Sequence, residues 1–590
     1  MSDLTRRQFV AGATGTAAAG VLAGCAAAPK TGPRALTGWT APDDDERRRL
    51  IAMAEFGRKQ GVSGTDGVAV STHPLATAAA IDMLKLGGNA VDAICSASLA
   101  QAVVEPHMTT LSGVFSMLHY EAATGTTSYV NGSANAPEGH PVFKGEIANI
   151  SELLSTGSRD GSLCPVPGFW GGLEAAHDRF GALSRKTVMA PAIHYAREGF
   201  EIHPFLWGEM FIESANIGAA EPGLEMYFRD RRLLNIGEKL VQSRHADTLE
   251  RLAEEGSDYF YRGEFAHRYA AAVQAAGGYV TVDDMAAWQP IWDQPVRATY
   301  RGYEVVGSPA PDFGGQALVE IMNMVELIDL QAQGPAYASA PTTLKLMQII
   351  GQVYADAISA RFKGEVPPVE KAVSKEFAQE RFAALSGRPK SPYDDFTTVP
   401  PPGSNHLTVV DGAGNVATVL HSVMSLPFTT RIYVDGVYAC AGLVHLGSGV
   451  PGEDRRIHAR VCPNMFLHNG KPVLASGSPS VSLTETIVQN AINMLDFGHD
   501  IASSVHLPRF GGSDMTNFKA LMIEPDMGDR TIAHLKENDA LVSVVNPWNW
   551  THGSFDGVRI DPGTGIASAC GDPRRTAQAF AVYIVIRRSP

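Results

Sequence analysis

The sequence predicts an α+β protein, and three stretches carry that prediction. Residues 404–411 and 416–422 are β-rich runs on either side of Gly412-Ala413-Gly414-Asn415, the pattern of a hairpin with a glycine-containing turn. Gly67-Val68-Ala69-Val70-Ser71 reads as a buried strand followed by two helices. Val473 to Ser476 and Ser482 to Phe497 repeat the strand-to-helix pattern, with Gly477-Ser478-Pro479-Ser480-Val481 between them.

In chain order, residues 1–34 read as an address rather than fold. Thr5-Arg6-Arg7-Gln8-Phe9-Val10 is a twin-arginine pattern, which implies export of an already folded protein. The apolar run behind it ends Leu22-Ala23-Gly24-Cys25, resembling a lipobox in which Cys25 is lipidated and becomes the mature N-terminus. The alternative is a plain signal cut at Ala26 to Ala28. The run is too short and too rich in Ala and Gly to span a membrane. The expected location is therefore periplasmic, or membrane-tethered through Cys25. Residues 35–64 read as a linker, with Ala41 to Lys59 polar and charged.

Composition then excludes several classes. Of 590 residues, 45% are hydrophobic and 19% charged, which is ordinary for a globular chain. A net charge of -14 with no basic cluster argues against nucleic acid. Beyond Cys25, the cysteines at 95, 164, 440, 462 and 570 are scattered without a Cys-x-x-Cys pair, so they indicate neither a zinc site nor a disulfide scaffold. One or two bridges are compatible with export.

Thr72 is expected to cap the first helix, with Pro74 in its first turn and Gly87-Gly88-Asn89 as its stop. The second helix, Ala90 to Val104, is small or apolar on nearly every face and so should be buried. It ends at Glu105-Pro106. Strands at Phe115 to Tyr120 and Thr127 to Val130 follow, joined by a turn at Ala122 to Gly125, and Gly314-Gly315-Gln316 opens a later helix. Residues 382–403 are rich in Pro, Ser and Asp, as a loop carrying a cleavage point should be.

The hairpin holds the chemistry. Pairing Asp411 with Val416 sets Asn405 against Ser422 and Ser404 against Val423; one bulge would bring Ser422 opposite Ser404. A hydroxyl behind a glycine at a strand end, with a second hydroxyl across from it, suits an amino-terminal nucleophile. The chain is cut between Gly403 and Ser404, the hydroxyl attacks an amide, and the freed α-amine, titrating near pH 8, serves as base. The competing reading is an ordinary surface hairpin.

Gly403 to Asp411, with Gly414-Asn415-Val416-Ala417 behind it, resembles the start of the small subunit in the γ-glutamyltransferase (glutathione hydrolase) family. His73-Pro74-Leu75-Ala76 through Val104-Glu105-Pro106-His107 is similar to the opening of that family's large subunit. Further matches are Pro165-Val166-Pro167-Gly168, Pro191 to Phe200, Gly277 to Thr281, Tyr300 to Tyr303 and Asp572-Pro573-Arg574-Arg575. The resemblance covers residues 65–590 in order. It implies a four-layer αββα sandwich of the amino-terminal nucleophile type, built from a large-subunit region, 65–403, and a small-subunit region, 404–590. No metal or organic cofactor is implied.

The resemblance also implies roles. Ser404 falls on the nucleophilic threonine, Asn405 on the second threonine, and Ser422 on a threonine that hydrogen-bonds the nucleophile. His406 is expected to be structural. Backbone N–H groups of Ser480 and Val481 would form the oxyanion hole, at positions where the family has two glycines. Valine at 481 excludes φ > 0 in a way glycine does not. The head-group readers all differ. The family's arginine for the α-carboxylate becomes Ser133, its acidic residue falls near His445, an asparagine becomes Met424, and paired serines become Ala459 and Arg460. Arg460 is either a replacement cation for an acidic acyl group or a surface arginine.

Three functions therefore stand open. One is a γ-glutamyl hydrolase or transferase on glutathione-like amides, with Arg460 and His445 rebuilding the pocket. Another is an amidase of the same fold for a different small acyl amide, with water or an amine as acceptor. The third is a non-catalytic exported binding protein that is never cleaved.

Overall fold

The computed structural model describes residues 38–144, 161–390, 403–448, 451–452, 454–513 and 519–582. The N-terminal address with Cys25, and residues 391–402 of the loop expected to carry the cleavage point, lie outside the described residues.

Two seven-stranded sheets form the centre. The first runs Gln578–Ala581, Gly67–Ser71, Asn405–Asp411, Val416–Ser422, Val114–Glu121, Thr126–Gly132 and Ile291–Asp293. The second runs Gly61–Gly64, Ala567–Cys570, Val558–Ile560, Lys471–Ser476, Asn464–His468, Tyr303–Gly307 and Val296–Tyr300. Two strands from the N-terminal part of the chain, Gly67–Ser71 and Val114–Glu121, thus flank the hairpin, which lies in the middle of its sheet rather than at the surface. All seven residues of both hairpin strands are buried.

Alternation along the strands assigns the layers. Leu407 and Val409 join a core shared with the helices Pro74–Lys85 and Ala90–Val104 on the outer face. Val410 and Val416 instead join Met465, Ala475 and Val558 of the other sheet, so this smaller core fills the space between the sheets. Behind the second sheet, Phe466 and Leu474 pack with the helices Gly314–Val325, Ala340–Lys363 and Leu483–Leu495. This is the expected four-layer αββα sandwich. All fifteen residues of Ala90–Val104 are buried, which is why small side chains occupy every face. Its start is a capping box: Asn89 accepts from the Asp92 N–H at 3.1 Å, and Asp92 from the Asn89 N–H at 2.9 Å.

Several local expectations are corrected. Thr72 does not cap the first helix; His73 does, accepting from the Leu75 N–H at 3.2 Å, and Thr72 is free to bond elsewhere. The stretch 35–64 is no simple linker. Asp44–Ala52 is a helix capped by Asp43, its Arg47 is buried against Glu201 at 2.8 Å, and Gly61–Gly64 is an edge strand. The expected helix from Ser482 to Phe497 spans Leu483–Leu495. All five described cysteines are free and buried, so no bridge forms among the described residues.

The C-terminal Asp572-Pro573-Arg574-Arg575 is a buried ionic node. Arg574 bonds Glu524 at 2.6 Å and Asp572 at 3.3 Å, and Arg509 also pairs with Asp572; none of these side chains is more than 2% exposed. Asp572 further accepts from the Phe555 N–H at 2.9 Å. Removing one cation would strand buried carboxylates. Arg574→Met is therefore expected to lose about 3–5 kcal/mol of stability, read as a lowered midpoint in thermal or urea unfolding.

Candidate active site

The observed hairpin register differs by one residue from the expected one. Val410, not Asp411, pairs with Val416, and Asn405 pairs with His421. One further step of the same register puts Ser404 opposite Ser422 without a bulge. The turn explains the shift: Gly414 takes φ +85°, and the Asp411 N–H closes onto the Asn415 carbonyl at 3.1 Å.

Ser422 then meets the carbonyl of Gly403 rather than the hydroxyl of Ser404. Its hydroxyl donates to the Gly403 carbonyl at 2.5 Å and accepts from the Met424 N–H at 2.7 Å. A proton donor on that carbonyl draws charge from its carbon, which is the atom Ser404 Oγ would attack. Ser422 is pinned from behind, because a Cβ on Gly113 would stand 1.9 Å from the Ser422 carbonyl oxygen. Gly403 is equally crowded, with a Cβ there falling 2.4 Å from Val423 Cγ2.

The oxyanion turn arrives from the second sheet. The Ser480 N–H donates to Ser404 Oγ at 3.1 Å. The positive φ that the family's glycines make easy falls on Ser480, at +80°, and not on Val481. Valine at 481 is therefore no obstacle, and the strain of roughly 1–2 kcal/mol sits on serine. Two bonds hold the turn in place: the hydroxyls of Ser480 and Ser482 both donate to the Thr551 carbonyl, at 3.2 and 2.8 Å.

His406 is buried within its strand. Burial pushes it down to about 3, so it stays neutral, and Thr418 Oγ1 lies 3.0 Å from its Nε2. Asn405 faces the helices. Its Oδ1 accepts from Thr72 Oγ1 at 2.8 Å, Thr72 Oγ1 is also 2.8 Å from Glu105 Oε2, and Gln101 Nε2 reaches Thr72 at 2.6 Å. His421 Nε2 lies 2.7 Å from Gln101 Oε1. Burial raises Glu105 to about 7. This buried network braces Asn405, the residue next to Ser404. Sequence reasoning missed it, although Val104-Glu105-Pro106-His107 had been matched as a block.

On the other flank of the turn, Arg460 is half-buried rather than at the surface. Its Nη2 donates to the Val481 carbonyl at 2.7 Å and its guanidinium lies 5.0 Å from the Tyr354 ring. His445 is lowered to about 4, first by burial and then by the charge of Arg460. Buried Glu485 is raised by burial, against the pull of the same arginine. Arg460 and His445 thus come together, with Tyr354 contributed by the helix Ala340–Lys363, which no motif singled out, and Glu485 by the first turn of the helix Leu483–Leu495. Ser133 does not present a free hydroxyl: it donates to the Ile457 carbonyl at 3.4 Å. A different arginine, Arg456, bonds the Ser133 carbonyl at 2.7 Å and is spent on backbone carbonyls. Among the described residues no cluster of His, Cys, Asp or Glu could hold a metal ion.

Residues 76–582 match the family model described as gamma-glutamyltranspeptidase. The glutathione hydrolase proenzyme of Escherichia coli (strain K12) is 28% identical over 561 residues, 88% of this chain and 93% of that protein. The acylase ACY 1 proenzyme of Pseudomonas sp. (strain SE83) is 29% identical over 471 residues, 76% of this chain and 83% of that one. The fold is that of the crystal structure of cephalosporin acylase from Bacillus halodurans, with a TM-score of 0.76 at 24% identity, covering 89% of this chain and 98% of that one.

The strain at Ser480 is testable. Ser480→Gly keeps the N–H and removes the strain, so self-cleavage and turnover should stay within about threefold of wild type. Ser480→Val places a β-branched residue at φ +80°, and with a penalty of roughly 2 kcal/mol it should slow both at least tenfold in a gel-based cleavage time course.

Proposed function

Because this chain belongs to the gamma-glutamyltranspeptidase family of amide hydrolases and acyltransferases, we propose that Ser404 is first the nucleophile of its own maturation and then that of the catalytic cycle. The observation that carries this is the pair of contacts on adjacent residues: Ser422 on the Gly403 carbonyl and the Ser480 N–H on Ser404 Oγ.

In maturation Ser404 Oγ attacks the Gly403 carbonyl carbon. The peptide C–N bond breaks, a C–O ester forms, and the hydroxyl proton ends on the released α-amine. Water then hydrolyses the ester, leaving a Gly403 carboxylate and a small subunit of 187 residues that begins with Ser404. In the cycle that amine takes the Ser404 proton as the hydroxyl attacks a substrate amide. The N–H groups of Ser480 and Val481 carry the developing oxyanion, the amine product leaves, and water or a second amine takes the acyl group.

The acyl side departs from γ-glutamyl recognition. No arginine stands at 133, and the hydroxyls of the family's serine pair are gone at Ala459 and Arg460. One cation, Arg460, abuts the oxyanion turn instead, and His445 is too depressed to carry charge. We assign this pocket an acyl chain ending in a carboxylate and lacking the α-amine. The relatives named glutathione hydrolase favour the γ-glutamyl alternative, and paired substrates separate the two. The N-terminal address, Arg6-Arg7 and Leu22-Ala23-Gly24-Cys25, supports export by the twin-arginine route and a lipid on Cys25.

Intact mass of wild type beside Ser404→Ala tests maturation: two fragments for wild type and one chain for the variant are expected. A single chain in both would overturn the nucleophile assignment. Ser422→Ala, which strips the proton from the Gly403 carbonyl, should slow cleavage at least tenfold. For the pocket, matured wild type should turn over a glutaryl anilide at least tenfold faster than its γ-glutamyl counterpart. Arg460→Gln should erase that preference through KM.

A further inference from the structure

We propose that the outward face of the helix Pro204–Ile212 contacts the lipid bilayer, laying the protein against the membrane to which a lipid on Cys25 would tether it. This rests on the tether read from the N-terminal sequence and is independent of the acyl specificity. The helix divides cleanly into two faces. Phe205, Leu206 and Met210 are buried in the core. On the outward side Phe211 is 59% exposed and Ile212 71%, the most exposed large apolar side chain among the described residues. Trp207, half-buried with one edge against the core, stacks on Phe211 with ring centroids 5.2 Å apart and extends that exposed patch. Gly208, on the same side, has nothing within 4 Å of where a Cβ would stand, so the face is open.

Scattered exposed apolar residues need no explanation, but a contiguous Trp-Phe-Ile face does. Tryptophan, phenylalanine and isoleucine on one side of a short helix form the apolar face of an interfacial helix, with the indole suited to headgroup depth. Tether length selects the occupant. Glu201, three residues before the helix, is held by Arg47 of the first described helix at 2.8 Å. From Cys25 to Gly38, where the described chain begins, is 13 residues, an extended reach of about 45 Å. A lipid on Cys25 would hold this lobe within a short tether of the leaflet. Charge adds a constraint: residues 204–240 carry six acidic and four basic side chains, so contact depends on apolar insertion rather than on anionic headgroups.

The test uses the exported mature protein mixed with phosphatidylcholine vesicles whose acyl chains are brominated. Trp207 fluorescence should be quenched, to the same degree whether or not anionic lipid is added. Trp207→Phe should remove at least half of the quenching. Phe211→Ser with Ile212→Ser should abolish it while leaving turnover of a soluble amide unchanged, since both side chains are exposed and remote from Ser404 in role. The mass of the mature N-terminus reports the tether separately. Wild-type protein that shows no quenching, or quenching unchanged in the double variant, would overturn the proposal. A lipid-free dimer that the double variant dissociates would also overturn it, by assigning the face to a second copy of the chain.

Discussion

The register of one hairpin governs everything built around the reaction centre. Val410 pairs with Val416 because Gly414 turns the chain with a positive φ, and that pairing alone sets Ser404 against Ser422. A slip of one residue would turn every side chain of the strand to the opposite face. His406 and Thr408 would then enter the helix core, and Leu407 and Val409 would leave it for the opposite face of the sheet. Both strands are buried on both faces and sit in mid-sheet, so the register is enforced from all sides. The hydroxyl on the Gly403 carbonyl is a consequence of that enforcement.

Two glycines show how tightly the centre is packed. Gly113 lets one loop lie directly on the Ser422 backbone, and Gly403 fits beneath Val423 where no side chain has room. Ser480 makes the opposite trade. It holds a strained left-handed conformation that glycine would adopt freely, and its hydroxyl is bonded to the Thr551 carbonyl. The strain lies on a residue whose N–H reaches Ser404 Oγ, the kind of place where strained backbone tends to accompany function.

The flanks of the oxyanion turn divide the work. Toward the outer helices, Glu105, Thr72 and Gln101 brace Asn405 and hence the backbone beside Ser404. Toward the second sheet's helices, Arg460, Tyr354, Glu485 and His445 form a pocket whose charge is set by burial. The histidine is held neutral, Glu485 is held back from ionising, and the guanidinium keeps its charge.

The sequence by itself determined the strands, the buried small-residue helix and the family, because each is encoded locally, by side-chain alternation, glycine turns and short ordered motifs. The tertiary structure decided the rest. Thr72 was read as a cap because cap chemistry is local, yet it serves a network with Glu105 and Asn405 that only sheet pairing assembles. The polar stretch before residue 60 was read as a linker because its helix is stabilised by an ion pair to Glu201, more than 150 residues away. Which oxyanion residue bears the positive φ, which carbonyl Ser422 touches, and whether Arg460 is a surface or a pocket residue all depend on contacts between segments distant in sequence. Those contacts are set by layer packing, and no single stretch of chain contains them.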